Sequence, residues 1–375
     1  MQNQLSSKPH YLIPDALRGV AAIMVVLFHI VETHGNPAID PSPDKFNQLI
    51  NHGYLAVDFF FLLSGFVIGY AYDDRWNKMS LGGFFKRRLI RLQPMVVMGM
   101  LIGAALFYFQ DSTVAMPIVH TIPVWQMLLI WLIGITLIPV PPSMDIRGWQ
   151  EMHPLDGPAW SLFFEYVGNF FYAVLVRRFP NWLLALLVAV SAAFLVHYTV
   201  WGDTGDLIGG WSLEPQQFKI GFTRLMFPFF GGLLMSRLIK IKSFGNTFIW
   251  CSLLLILALS MPRFGDAASL WKNGLYESIA VILLFPLIVF LGASGKVSGS
   301  MEKACKFLGD ISYPIYITHY PIIYIYTAWV FDNKKHLNEA YPYSILVLVS
   351  SVLLAWASLK FYDEPVRKWL AKKFQ

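Results

Sequence analysis

Two polar side chains interrupt the first apolar segment of the chain, residues 16–33. Arg18 and His29 lie eleven residues apart in this segment. A helix would place them within about 20° of one face and about 16 Å apart along its axis, roughly half the hydrocarbon thickness of a bilayer. Histidine exchanges a proton near neutral pH and suits a general base toward a hydroxyl group, whereas arginine offers a fixed cation. This face therefore predicts a ligand that is anionic at one end and reactive at the other.

A general base needs a group that orients it, and the sequence offers two carboxylates. Asp58 stands near the start of the second apolar segment, and Glu165 stands one turn or more inside a later one. Either could bond a ring nitrogen of His29 and stabilise the imidazolium form. Ionisable residues at membrane depth favour a functional site. Polar contacts between helices are the simpler alternative for each of these residues.

A basic amphipathic stretch precedes the third apolar segment. Arg88 and Arg91 are three residues apart in it, so adjacent guanidinium groups would share one helix face. Paired guanidinium groups bind phosphate oxygens well, which predicts a phosphate site that also includes Arg18. Basic loops beside a membrane also bind anionic lipid in general, which is the simpler interpretation of this stretch.

Small and polar residues in three further segments indicate the lining of a passage between these groups. Ser64 and Gly65 interrupt the second segment and would admit a slender ligand, so we assign both to the same ligand site as Arg18, Arg88 and Arg91. Close packing of two helices is the equally simple alternative. Polar residues at helical spacing in one segment, and at a helix start in another, are the remaining candidates for a substrate-binding site or tunnel: Trp160, Ser161, Ser312, Tyr316 and His319.

The composition indicates an all-α polytopic membrane protein. Of 375 residues, 56% are hydrophobic and 14% charged. We predict a single transmembrane domain over 1–375, with its core at about 12–370 and no soluble domain. The two cysteines provide neither a disulfide framework nor a metal-ligand spacing, and the basic loops suggest membrane lipid as a partner, not nucleic acid.

Eleven apolar windows are candidate helices: 16–33, 54–72, 94–110, 122–140, 159–176, 182–200, 222–239, 246–262, 274–292, 309–330 and 343–362. Prolines bracket the window 122–140, which we therefore assign to a re-entrant or interfacial segment. Ten spans remain, and these place the basic clusters on one side: 75–91, 177–178, 237–242, 296–306 and 367–373. The positive-inside rule then predicts a plasma-membrane protein with both termini cytoplasmic.

Six stretches together resemble the acyltransferase 3 family of integral-membrane acyltransferases, and they occur in the family's order. These are Leu17 to Gly19 with Phe28 and His29, Ser64 to Phe66, Arg88 to Arg91, Trp160 to Glu165, Ser312 to His319 with Pro321, and Glu364 to Trp369. The resemblance implies O-acylation of a cell-surface or exported glycan, with cytoplasmic acyl-coenzyme A as donor and acetyl as the expected group. It places the three arginines near the donor phosphates and His29 at the transfer site, either as a base or as a covalent acyl carrier.

The chain departs from the family pattern in two places. Glu165 is followed by Tyr166 where many members have a second glutamate, so Glu165 alone would fill any carboxylate role. Some members carry a C-terminal hydrolase-like domain, whereas this sequence ends at Gln375, so we expect direct transfer or delivery to a separate protein. A multi-span transporter or lipid-linked glycan flippase is the alternative function, and a structural membrane scaffold is a third.

Overall fold

The computed structural model describes residues 11–35, 49–239, 245–266 and 268–374, so residues 240–242 of the basic cluster 237–242 lie outside the described residues. The described residues contain one isolated bridge and no β-sheet, which confirms the all-α prediction. The helices are α1 Leu12–His34, α2 Ala56–Tyr72, α3 Leu81–Leu106, α4 Val124–Gly134, α5 Ala159–Val174, α6 Asn181–Trp201, α7 Pro215–Leu238, α8 Phe248–Ser260, α9 Trp271–Ile279, α10 Phe285–Ser294, α11 Gly299–Thr318, α12 Tyr320–Asn333, α13 Leu337–Ser358 and α14 Glu364–Phe374.

Seven helical stretches in the described ranges are long and apolar enough to cross a membrane: Leu12–His34, Gly53–Tyr72, Leu81–Gln110, Asn181–Trp201, Pro215–Leu238, Trp271–Ser294 and Leu337–Phe374. In the last two, π-helical turns join α9 to α10 and α13 to α14. α4 has 11 residues and spans about 16 Å, too little to cross the hydrocarbon layer. The ten-span count and the re-entrant path of α4 stay predictions.

The window 309–330 is not one helix, which corrects our prediction for this segment. α11 begins ten residues earlier, at Gly299, and α12 begins at Tyr320. Pro321 explains the break, because proline has no amide N–H and its ring clashes with the carbonyl four residues earlier. His319 occupies the break, and its Nδ1 lies 2.9 Å from the Ile315 carbonyl oxygen. The imidazole therefore adds a side-chain contact to a carbonyl at the end of α11 that also accepts the backbone N–H of His319.

Two closely packed helix pairs position the polar residues, α1 with α11 and α2 with α7. A Cβ atom built on Gly19 of α1 would lie 2.3 Å from the Leu308 carbonyl oxygen, and one built on Gly65 of α2 would lie 1.8 Å from that of Phe229. Only glycine permits such close backbone approach. Gly65 is therefore a packing residue between α2 and α7, which corrects its assignment to the donor site.

Candidate functional site

A cavity of about 690 Å³ lies among α1, α2, α3, α5 and α11. We call it the inner cavity because it contains the basic residues that the sequence places at the cytoplasmic side. Eight of the candidate residues predicted from the sequence form part of its wall: Arg18, Ser64, Arg88, Arg91, Ser161, Glu165, Ser312 and Tyr316. The structure thus brings together side chains from five helices that are far apart in sequence.

Carboxylates neutralise two of the three arginines in the inner cavity. Arg88 Nη2 lies 2.6 Å from Glu165 Oε1, which also accepts a 2.7 Å hydrogen bond from Ser64. Arg18 lies 3.5 Å from Asp15. The Arg91 side chain forms no ion pair or hydrogen bond with any residue in the described part of the chain. Its guanidinium group is therefore available for an anionic ligand.

A second cavity, of about 440 Å³, contains His29 and is called the outer cavity. Three tryptophans and two carboxylates line it together with the predicted base: His29, Glu32, Trp149, Glu151, Trp160 and Trp211. α1 is unbroken from Leu12 to His34, so Arg18 and His29 lie on one rigid helix, as predicted. This single helix connects the two cavities.

His29 is oriented by Glu32, one turn further along α1. His29 Nδ1 lies 3.0 Å from Glu32 Oε2. Because a carboxylate only accepts hydrogen bonds, this contact assigns the proton to Nδ1 and leaves Nε2 with a lone pair. The ring also stacks on His319, with centroids 5.6 Å apart and planes inclined by 24°. The arrangement matches a base held by an acid on the opposite ring nitrogen.

The prediction that Asp58 or Glu165 orients His29 is wrong. Glu165 bonds to Arg88 in the inner cavity, whereas Asp58 is fully buried and forms a forked ion pair with Arg224 of α7. Arg224 Nη2 and Nε lie 2.7 Å and 3.2 Å from Asp58 Oδ2. Arg224 also donates to the carbonyl oxygens of Tyr54 and Gly209. Asp58 therefore binds Arg224, which lines the outer cavity, and does not contact the predicted base.

Ser312, Tyr316 and His319, which the sequence places at helical spacing in one segment, do not all line the same cavity. Ser312 lines the inner cavity and Tyr316 lines both cavities. His319 is completely buried behind His29, and its Nε2 has no hydrogen-bond partner in the described part of the chain. Val57 is the other side chain that both cavities share. We call the place where Tyr316 and Val57 border both cavities the junction.

The connection between α4 and α5 forms part of the wall of the outer cavity and adds residues that the sequence did not indicate. Arg147 is fully buried, with its guanidinium carbon 3.4 Å from the centroid of the Tyr324 ring. The same tyrosine donates a 2.5 Å hydrogen bond to Glu151 Oε2. Burial raises the pKa of Glu151 to about 7, although Arg147 and the Tyr324 hydroxyl oppose this shift. Glu151 is thus a titratable group in the wall of the outer cavity.

Glu151 should make the stability of the protein depend on pH. Its pKa rises from 4.5 to about 7 on folding, so the buried position favours the protonated form. The free energy of unfolding should therefore fall as the pH increases from about 4.5 through about 7, and then level off. Glu151→Gln stays neutral throughout. Its thermal unfolding midpoint in detergent should equal that of the wild type near pH 5 and exceed it near pH 8. Identical pH profiles of the two proteins would contradict the assignment.

Among the residues that the structure describes, no group of three or more His, Cys, Asp or Glu side chains is placed to hold a metal ion. Both described cysteines are buried and free. The polar residues of the inner cavity suit an anionic ligand. Those of the outer cavity suit proton transfer. This combination is compatible with transfer of a group between two substrates.

Comparisons with known proteins agree with this chemistry. Residues 11–360 match the family model described as an acyltransferase domain. "Protein 2 in picA locus" of Rhizobium radiobacter is 32% identical over 197 residues, which cover 51% of this chain and 95% of that protein. The O-acetyltransferase OatA of Staphylococcus aureus is 24% identical over 380 residues. That alignment covers 96% of this chain but 58% of OatA, so the chain spans less than two thirds of this relative.

No solved structure shows a significant match to the chain. The family model, however, extends over nearly all of the described residues and includes the outer cavity, the junction and all of the inner cavity except Asp363, Glu364 and Arg367. It favours an enzyme over the carrier or scaffold that the sequence left as alternatives. The chain therefore belongs to the acyltransferase 3 family, a family of acyltransferase enzymes.

Proposed function

We propose that the protein is a membrane O-acyltransferase that moves an acyl group, expected to be acetyl, from acyl-coenzyme A to a hydroxyl group of a cell-surface or exported glycan. One observation carries this proposal: α1 presents Arg18 to the inner cavity and His29 to the outer cavity, and the two cavities meet at the junction. The relatives named O-acetyltransferase support acetyl as the group.

The donor would bind in the inner cavity, with its phosphates beside Arg91. A groove of about 330 Å³ continues from there, and its lining includes four cations, Arg87, Arg91, Arg367 and Lys368, and one carboxylate, Glu364. Such a row of cations suits the several phosphates of coenzyme A. The pantetheine arm would then extend along α1 over the roughly 16 Å that separates the levels of Arg18 and His29. This orientation puts the donor in the cytoplasm and both termini on the same side, in the plasma membrane.

The acceptor would bind in the outer cavity. Trp149, Trp160 and Trp211 give it flat apolar walls, on which the C–H faces of a sugar ring can stack. Glu32 and Glu151 add acceptors for sugar hydroxyl groups. The combination of aromatic surface and carboxylates supports a glycan better than an apolar acceptor.

In the proposed reaction the acceptor hydroxyl gives its proton to Nε2 of His29, and its oxygen attacks the thioester carbonyl carbon. The carbon–sulfur bond then breaks, the new ester forms, and the proton passes from the imidazolium to the sulfur, which leaves as a free thiol. Glu32 stabilises the imidazolium through Nδ1. Direct transfer requires no covalent acyl-histidine. A labelled acetyl donor supplied without acceptor should therefore leave no label on the protein.

Arg91 offers a test of the donor site. Loss of a charge-assisted hydrogen bond costs about 1.5–3 kcal/mol, or roughly 10- to 150-fold. For the purified protein in detergent, with cell-surface glycan as acceptor, Arg91→Gln should raise the KM for acetyl-coenzyme A about tenfold or more. The KM for acetyl-pantetheine, which lacks phosphates, should not change.

A matched control is Arg178→Gln, because Arg178 is exposed and lines none of these cavities. This variant should leave both KM values unchanged. An equal rise of the two KM values in Arg91→Gln would contradict phosphate binding at Arg91. If the wild-type protein formed no ester and released no thiol from acetyl-coenzyme A, the proposed function itself would be wrong.

A further inference from the structure

The junction is formed by buried side chains. Val57 of α2 and Tyr316 of α11 belong to the walls of both cavities, and 6% and 7% of their respective surfaces are exposed. The Tyr316 ring also contacts Phe60 edge-on, with ring centroids 5.2 Å apart. An aromatic ring fixed in this way stands between one cavity and the other.

The Tyr316 hydroxyl donates a hydrogen bond to Ser161 Oγ, and this bond holds the ring in place. Its hydroxyl lies 2.6 Å from Ser161 Oγ and 3.3 Å from the carbonyl oxygen of Pro158. Ser161 lines the inner cavity, whereas Pro158 lines the outer cavity. Ser161 in turn donates a 3.0 Å hydrogen bond to the Pro158 carbonyl. The tyrosine hydroxyl therefore lies on the boundary of the two cavities and ties the ring to the first turn of α5.

We propose that Tyr316, held by Ser161, limits the length of the acyl group that the protein transfers. This inference rests on the proposed function. A donor whose phosphates lie at Arg91 presents its thioester toward the junction, and the acyl group extends beyond the sulfur, away from the phosphates. An acetyl group adds one methyl group there. A longer chain would collide with the ring of Tyr316 or occupy the space of the acceptor.

The test compares acetyl-, butyryl- and hexanoyl-coenzyme A as donors for the purified protein with the same glycan acceptor. The wild type should prefer acetyl. In Tyr316→Ala the ratio of kcat/KM for hexanoyl-coenzyme A to kcat/KM for acetyl-coenzyme A should rise about tenfold or more. Each methylene group that becomes buried in an apolar site strengthens binding roughly fourfold. Tyr316→Phe retains the ring, so this ratio should rise by no more than about threefold.

Tyr326→Ala is the matched control. Tyr326 is a buried tyrosine whose hydroxyl bonds to Ser344, and it lines neither cavity. This variant should keep the wild-type ratio even if its overall activity falls, because a merely structural tyrosine does not discriminate among donors. If Tyr316→Ala does not fold, Val57→Ala enlarges the other wall of the junction and should also raise the ratio.

Ratios within twofold of the wild type in both Tyr316→Ala and Val57→Ala would overturn the inference. A wild-type protein that used all three donors equally would also overturn it, while acetyl transfer and the proposed function would stand. A wild-type protein that consumed none of the donors would overturn the proposed function and this inference together.

Discussion

Replacing His29 with alanine should lower the rate of acyl transfer by about 10²- to 10⁴-fold, which is the usual contribution of a general base. Its imidazole is held by Glu32 at 3.0 Å and faces the outer cavity. The measurement is the turnover of labelled acetyl-coenzyme A to labelled glycan by purified protein. The KM for the donor should change little, because the donor phosphates lie in the inner cavity.

Two further variants separate catalysis from folding. Glu32→Gln retains a side chain that can bond to His29 but lacks the charge that stabilises the imidazolium, so its rate should fall less than that of His29→Ala. His34 lies on the same helix, bonds to Tyr326 and lines neither cavity. His34→Gln should keep the rate per folded molecule. Normal transfer by His29→Ala would show that the imidazole is not the base.

Replacing Asp58 with asparagine should lower the free energy of unfolding by about 3–5 kcal/mol, because it leaves the Arg224 charge buried without a counterion. Both side chains are almost completely buried, and the closest nitrogen and oxygen are 2.7 Å apart. Arg224 also holds the Tyr54 and Gly209 carbonyls, so a change here should disturb the outer cavity. The measurement is the thermal unfolding midpoint of the detergent-solubilised protein.

A double variant tests the physical reason for this loss. Removal of both charges avoids the unpaired buried charge, so Asp58→Asn with Arg224→Met should be more stable than Asp58→Asn alone. The pair Asp73 and Arg237 is a useful comparison, since its side chains are 24% and 12% exposed. Asp73→Asn should destabilise the protein less than Asp58→Asn. Equal losses for the two single variants would contradict the role of burial.

The helix α1 and most of the polar residues that line the inner cavity could be predicted from the sequence. A helix repeats regularly, so the eleven-residue spacing of Arg18 and His29 is enough to predict their relative rotation and depth. The same regularity within α3 predicts that Arg88 and Arg91 share one helix face. Their grouping with Arg18 rested on the family resemblance and on the basic character of one side of the membrane. In the structure all three line the inner cavity.

Pairing between helices could not be predicted in this way. Asp58 and Arg224 are 166 positions apart in sequence. Their contact depends on the rotation of α2 against α7, which no local sequence pattern encodes. Gly65 was ambiguous for the same reason, since a small residue serves a passage and a close helix contact equally well. Glu32 is different: it stands three residues after His29, so helix spacing alone could have identified it.

The residues contributed by loops were the least accessible to sequence analysis. Glu151 and Arg147 lie in a segment without periodicity, and only the folded chain brings them against Tyr324 of α12. The break at His319 could have been anticipated, because Pro321 removes a helical hydrogen bond. The apolar character of the window 309–330 outweighed this signal in our prediction.

We propose that donor and acceptor bind in cavities that open toward opposite sides of the membrane and meet at the junction. Sealed membrane vesicles that contain the protein test it most directly, because acetyl-coenzyme A does not cross the bilayer. With the glycan acceptor present on both faces and the donor added outside, inverted vesicles should release free thiol, whereas right-side-out vesicles should do so only after they are permeabilised. His29→Ala should release thiol about 10²-fold or more slowly in either. Equal thiol release by intact vesicles of both orientations would contradict the account.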